Sequence, residues 1–448
     1  MSVTTKGSGL ASEKQAGING AGRIALPFLA MVLLASVGYA QTDPGPRGGP
    51  PAAGQPVPGL SQSLRAAFDA GKGFFQEDEN VTNNGLGPRF NSNSCVSCHV
   101  QPDVGGTSPA VNPMIQFVNS QNRLPPFILQ NGPVREARFI RNANGTADGG
   151  VHALFTIGGR SDTPSGCNLV QEDFSNASNI STRIPTPTFG LGLVEAIPDA
   201  TLAQNLASSG GAPFGISGRL NRNGNDGTVT RFGWKAQNKS LLMFSGEAYN
   251  VEMGISNLLF NTERDETTNC SPVAPPNSIF SLGGFIDQAV FDDITHFANF
   301  MRFLAPPGRG PINNTVVQGS NQFFNVGCAR CHTVTLQTGA SPFPSLANQT
   351  IHPYSDFALH HMGPGLADQV SQGLAGGDEF RTAPLWGTGQ RLFFLHDGRT
   401  SDLVQTIRAH ASPANSQFPA SEANRVVANY FALSTSDQQA VLTFLRSL

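Results

Sequence analysis

Apolar and polar positions alternate most tellingly from Ile286 to Leu304, where Ile286, Val290, Ile294, Phe297, Met301 and Leu304 recur at spacings of three and four. That period keeps one face of a helix apolar, and Pro306-Pro307 closes the element. A second helix is expected at Gln438 to Leu448. Two earlier helical stretches each end in a phenylalanine pair, Phe74-Phe75 and Phe323-Phe324. Ile24 to Val37 is an apolar run preceded by Lys14 and Arg23 and followed by Gly38-Tyr39-Ala40, the order of a secretory signal peptide and short for a membrane span. Gln41 to Leu60 lacks apolar periodicity and reads as a Pro/Gly-rich disordered linker.

From Ser61 the pattern occurs twice, as in a distant internal duplication. Each half holds a Phe-pair helix, a Cys-x-x-Cys-His pentapeptide and a Pro-x-aromatic-Gly-x-Gly turn, at Pro187 to Gly192 and Pro384 to Gly389. Each closes with a helix ending in Phe-Met/Leu-Arg-x-Leu. The expected organisation is a signal peptide at 1–40, the linker at 41–60, and two units at 61–305 and 308–448. The first is the longer, so insertions are expected around Asp103 to Asp162 and Pro198 to Thr230, both rich in Gly, Asn and Ser.

Composition sharpens this picture. Only 13% of residues are charged, while 50 Gly and 32 Pro mark a loop-rich chain that needs additional apolar mass in its core. A net charge of −3 without a basic cluster asks for neither nucleic acid nor an anionic membrane. The pentapeptides Cys95-Val96-Ser97-Cys98-His99 and Cys328-Ala329-Arg330-Cys331-His332 match the attachment signature of c-type haem. In that signature two thiols form thioethers to the porphyrin and the adjacent imidazole ligates iron. A zinc ribbon would need its Cys pairs about 15 to 20 residues apart, and a redox dithiol has no use for the histidine. Two covalently bound haem c groups are therefore expected, with an excess of Phe (31) over Tyr (4) and Trp (2) suited to packing against them. The remaining cysteines, Cys167 and Cys270, are a pair that an oxidising compartment would tend to join. Export and covalent haem both point to the periplasm.

With both pentapeptides, the glycine turns and Phe393-Phe394-Leu395-His396-Asp397-Gly398-Arg399 in view, the chain resembles the bacterial di-haem cytochrome c peroxidases and their relative MauG. It is most similar to the di-haem oxidoreductase (putative peroxidase) branch. Leu86 to Asn91, Met362 to Asp368 and Phe380 to Gly387 carry that likeness, which extends over most of residues 61 to 448. The resemblance implies a mainly α, loop-rich fold of two cytochrome c-like haem domains in tandem, the first with long insertions and the active haem, the second with an electron-transfer haem. Its chemistry would be reduction of hydrogen peroxide with electrons from a small cytochrome c or cupredoxin. Calcium is a family feature for which no clear ligand loop is visible here.

The resemblance also implies residue roles. His99 and His332 become the proximal iron ligands. Glu252, in Val251-Glu252-Met253, takes the acid-base role, and Trp234 the place of an aromatic between the haems. Fourteen residues beyond His396 the peroxidases carry Met, whereas this chain has His410, so a bis-His second iron is expected, with Met362 as the other candidate. By charge, Arg381 and Arg399 are candidates for haem propionates. His152 is a possible resting ligand of the first iron. His360, His361 and His396 are expected to bond propionates, backbone carbonyls or water. Two other readings fit the same motifs: a di-haem electron carrier with both irons six-coordinate, and a MauG-like or oxygenase-like enzyme acting on another substrate.

Overall fold

A computed structural model describes residues 41–49, 51–90, 92–117, 123–147, 160–261, 269–278 and 292–448, and 151–152 by backbone alone. The expected signal peptide lies outside the described residues. Ten helices occur among them. They are α1 (Gln62–Gln76), α2 (Cys95–Cys98), α3 (Leu191–Glu195), α4 (Asp199–Ser208), α5 (Leu241–Met253), α6 (Asp293–Phe303), α7 (Asn314–Val326), α8 (Leu403–Ala409), α9 (Asn424–Phe431) and α10 (Thr435–Ser447). The strands are short. β1 (Glu136–Phe139) lies between β2 (Val151–His152) and β3 (Ile180–Arg183), with Ala137 opposite both His152 and Thr182. Two antiparallel pairs follow, β4 (Leu336–Gln337) with β5 (Thr350–Ile351), and β6 (Leu359–His361) with β7 (Glu379–Arg381). No helix among the described residues is long and apolar enough to cross a membrane.

The periodic stretches became helices over part of their expected length: Ile286 and Val290 lie outside the described residues, and α6 begins at Asp293. Asp292 caps α6 by accepting the Thr295 amide, and Ser434 caps α10 through the Asp437 amide, one turn earlier than the expected start at Gln438. The duplication reappears in packing. α1 crosses α6 at Gly71, where a Cβ would lie 2.3 Å from the His296 carbonyl oxygen, and α7 crosses α10 at Gly319, where it would lie 1.9 Å from that of Ala440. Only glycine lets these backbones approach so closely. Around the first crossing lies a core holding Phe68, Phe75, Phe297 and Phe300, and around the second one holding Phe323, Tyr430, Val441 and Phe444. The buried members of the two Phe pairs are Phe75 and Phe323, so the repeats align one position away from a simple overlay of the pairs.

Part of the first insertion forms its own small core of Met114, Ile128, Val134 and Phe174 under the β1–β3 sheet, and a Cys167–Cys270 disulfide joins two of the longer loops. The expected disordered linker needs correction. The Val57 amide donates to Phe303 O at 2.7 Å, Gly308 donates to Ala52 O at 2.7 Å, and Arg47 donates to Gly389 O at 2.6 Å. Asp43 accepts from Arg446 Nη2 at 2.6 Å and from the Leu403 amide at 2.8 Å. The segment is a strap pinned by backbone bonds and one buried ion pair, neither of which depends on apolar periodicity.

Candidate functional site

α2 places Cys95, Cys98 and His99 at the edge of a cavity of about 100 Å³ whose walls also include Trp234, Gln237, Glu247 and Glu252. A smaller compartment of about 40 Å³ shares Cys95, His99 and Glu252 with it. His99 is buried, and its Nδ1 lies 3.1 Å from the Gly106 carbonyl, a bond that makes Nδ1 the donor and leaves Nε2 with a lone pair. Glu252, on the last turn of α5, puts Oε2 3.6 Å from that Nε2. Its side chain is 40% exposed, so the carboxylate is only partly removed from water. Phe75 sits edge-on to the His99 ring at 5.9 Å.

The second cavity, of about 220 Å³, is lined by Cys328, Cys331, His332 and His410 together with many aliphatic and aromatic side chains. His332 Nδ1 lies 2.9 Å from Tyr354 O, and His410, at the C-terminal end of α8, places Nδ1 2.7 Å from Thr406 O. Both imidazoles are again tied at Nδ1 by a backbone carbonyl, leaving Nε2 as the acceptor, and loss of solvation lowers both pKa values, that of His332 to about 4. Met362 lines the same cavity. Phe323 repeats the placement of Phe75, 6.3 Å from the His332 ring.

Four cysteines are unpaired, and burial pushes Cys98 and Cys328 up to about 12 and raises Cys95 and Cys331 as well. These are protonated thiols placed beside an imidazole whose Nε2 carries a lone pair, which is the donor set a covalently attached porphyrin uses. Anion-binding groups complete the fit at the second cavity. Arg381 is buried, and its hydrogen bonds go to the carbonyls of Gly233 and Thr382. Arg391 donates through Nε to Phe393 O, while its Nη2 is buried with no partner. Burial lowers both guanidinium pKa values to about 10, and the positive charge of Arg391 adds to the effect on Arg381. Two adjacent buried cations without a carboxylate are where anionic propionates would fit.

Trp234 is buried in the wall common to both cavities, with Nε1 donating to Ile184 O at 3.0 Å. Beside it a fully buried ion network joins the two halves. Asp368 accepts from Lys235 Nζ at 2.9 Å and from Arg183 Nη2 at 2.7 Å, and Lys235 Nζ sits 4.0 Å above the Phe380 ring, which stacks on His396 at 4.3 Å.

The other residues named from sequence fall differently. Arg399 belongs to neither cavity; it pairs with Asp397 at 2.7 Å and its side chain is 40% exposed, which removes it as a propionate partner. His360 bonds two carboxylates, Asp356 at 3.0 Å and Glu422 at 2.8 Å, and His361 bonds Asp378 at 3.0 Å. The side chain of His152 lies outside the described residues. Sequence reasoning missed Arg391 and Gln237, whose Oε1 is buried with no partner at the first cavity. A polar residue three positions after Trp234 was the available signal for the latter.

A family model described as "Di-haem oxidoreductase, putative peroxidase" matches residues 154–448. Similar solved structures include a MauG-like protein associated with microbial copper homeostasis, 13% identical, with 92% of this chain and 95% of that chain covered and a TM-score of 0.39. Another is Kuenenia stuttgartiensis hydrazine synthase under xenon pressure, 13% identical, with 96% and 100% covered and a TM-score of 0.37. No curated protein matches.

Proposed function

Since the chain belongs to the di-haem oxidoreductase family, a family of di-haem redox enzymes, we propose that it is an exported peroxidase with two covalently held haem c groups. Hydrogen peroxide is reduced at the first and electrons are relayed from the second. The observation that carries this reading is the pairing of each CxxCH histidine with a different neighbour: His99 Nε2 has the Glu252 carboxylate 3.6 Å away, while His332 shares its cavity with a second imidazole, His410.

When bound, haem supplies an iron that can accept peroxide and exchange electrons. The chain's own residues do the rest. Cys95, Cys98, Cys328 and Cys331 anchor the groups, and His99 and His332 orient them through their Nδ1 bonds to backbone. Glu252 would accept a proton from one oxygen of hydrogen peroxide and return it to the other, so that water can leave. Gln237 offers a hydrogen-bonding amide beside it. His410 closes the second site to small oxidants, and Arg381 and Arg391 neutralise propionates there. With His410 rather than a thioether holding the group, that centre would have a lower potential. Trp234 provides an aromatic contact in the shared wall.

A small cytochrome c or cupredoxin is the proposed electron donor. The Cys167–Cys270 disulfide supports a periplasmic location.

The test is mass spectrometry of the mature protein, expected to show two added haems, followed by peroxide turnover with a reduced donor. Glu252→Gln should retain both haems and lose about 10²-fold in turnover. Turnover unchanged by that substitution removes Glu252 from the mechanism, and a protein inert to peroxide with both irons six-coordinate is a carrier.

A further inference from the structure

Tyr249 on α5, one turn before Glu252, is 3% exposed and lines the smaller compartment beside His99. Its hydroxyl lies 2.9 Å from Glu79 Oε1 and 3.1 Å from Asp293 Oδ2. A phenol has one hydrogen and can donate to only one of the two, and both contacts are satisfied together when the other carboxyl carries its own proton. Glu79 is that one. It is 6% exposed, and desolvation lifts its pKa to about 7 from the ordinary 4.5. Its Oε2 is buried without a partner, which a neutral acid tolerates far better than a carboxylate. Glu79 therefore donates to the phenol oxygen, and the phenol donates to Asp293. Asp293 is partly exposed in the first turn of α6, where the helix dipole favours a negative group. Ring contacts lead from Tyr249 to Phe297 at 5.0 Å, from Phe297 to Phe75 at 6.4 Å, and from Phe75 to His99 at 5.9 Å.

We propose that Tyr249 is a one-electron donor to the first centre, with Asp293 as its proton acceptor and Glu79 as the group that positions and shields the phenol. The step rests on the peroxidase reading above, with hydrogen peroxide as the oxidant. Reduction of one peroxide to two waters consumes two electrons and two protons. One electron comes from the reduced donor protein by way of the second centre and the other from Tyr249, and both protons come from water. As the phenol O–H bond breaks, the proton passes to Asp293 Oδ2 and the electron to the first centre, leaving a neutral tyrosyl radical that still accepts the Glu79 hydrogen bond. A later electron from the donor, with the proton returned by Asp293, restores the phenol. Tyr249 is 3% exposed and its ring packs against Phe297, which holds the oxidising equivalent away from water.

The experiment reduces the holoprotein by one electron, mixes it with one equivalent of hydrogen peroxide, freezes it within milliseconds and records its paramagnetic resonance spectrum. An organic radical is expected whose signal narrows in protein grown on ring-deuterated tyrosine. It should be absent in Tyr249→Phe and reduced at least about tenfold in Asp293→Asn, where the phenol remains but its proton acceptor is gone. Haem content and optical spectrum of both variants should match the parent. A tyrosyl signal that survives Tyr249→Phe, a tryptophan-type radical removed instead by Trp234→Phe, or peroxide consumed with no protein radical overturns the proposal while leaving the peroxidase reading intact. A holoprotein that consumes no peroxide overturns both.

Discussion

The two haem-type cavities are built from the same parts and differ in what faces the histidine. In each, a helix pair crosses at a glycine, a buried phenylalanine touches the imidazole, and a backbone carbonyl takes its Nδ1 hydrogen. The first then offers a partly exposed carboxylate and an amide, the second an imidazole and two buried guanidinium groups. A repeated arrangement thus places a CxxCH histidine at each cavity. The unrepeated residues come from α5 and the turn before it in one case, and from β7, the loop after it and the end of α8 in the other; in the proposed function they set whether a small molecule can reach the site.

The largest way to break this contrast is to break the wall both cavities share. Asp368→Ala leaves Lys235 and Arg183 buried without their counter-ion, and a loss of about 3–5 kcal/mol in denaturant titration is expected. Next comes His410→Ala, which should make the second centre resemble the first: its low-spin signal is lost and it binds cyanide, while the first centre is unchanged. If the second centre stays low-spin, Met362 or another side chain is its ligand. A smaller effect separates two arginines. Arg391→Ala removes a buried cation from the second cavity and should lower the potential of that centre alone, whereas Arg399→Ala breaks an exposed pair worth about 0–1 kcal/mol and should leave both potentials unmoved. The smallest is a pH effect. Between pH 4.5 and about 7 the unfolded chain has released the Glu79 proton and the folded chain holds it. Stability should therefore fall as pH rises through that window, and Glu79→Gln should flatten the fall in denaturation measured across it.

Elements whose formation depends on local pattern were legible in the sequence. The helices now seen as α6 and α10 announce themselves by period and stop signals, and the two pentapeptides by residue type at fixed spacing. The contacts that finish the site were not legible, because they join positions remote in the chain. Asp43 and Arg446 are 403 residues apart, and a Pro/Gly-rich composition says nothing about such a pin. Arg391 and Arg399 both sit near the Phe393-to-Gly398 string, and charge alone cannot say which turns inward. Burial and the available partners decide it: Asp397 holds Arg399 at the surface, while Arg391 has no acid beside it. Tyr249 is likewise silent in sequence, since Glu79 and Asp293 approach it from α1's trailing loop and from α6.

The most direct measurement is the paramagnetic resonance spectrum of the oxidised protein as isolated, with and without cyanide. One high-spin ferric centre that cyanide converts, beside one low-spin centre that it leaves alone, is the result expected from a His99 site open to a small oxidant and a His332 site closed by His410. Two low-spin centres indifferent to cyanide would contradict it.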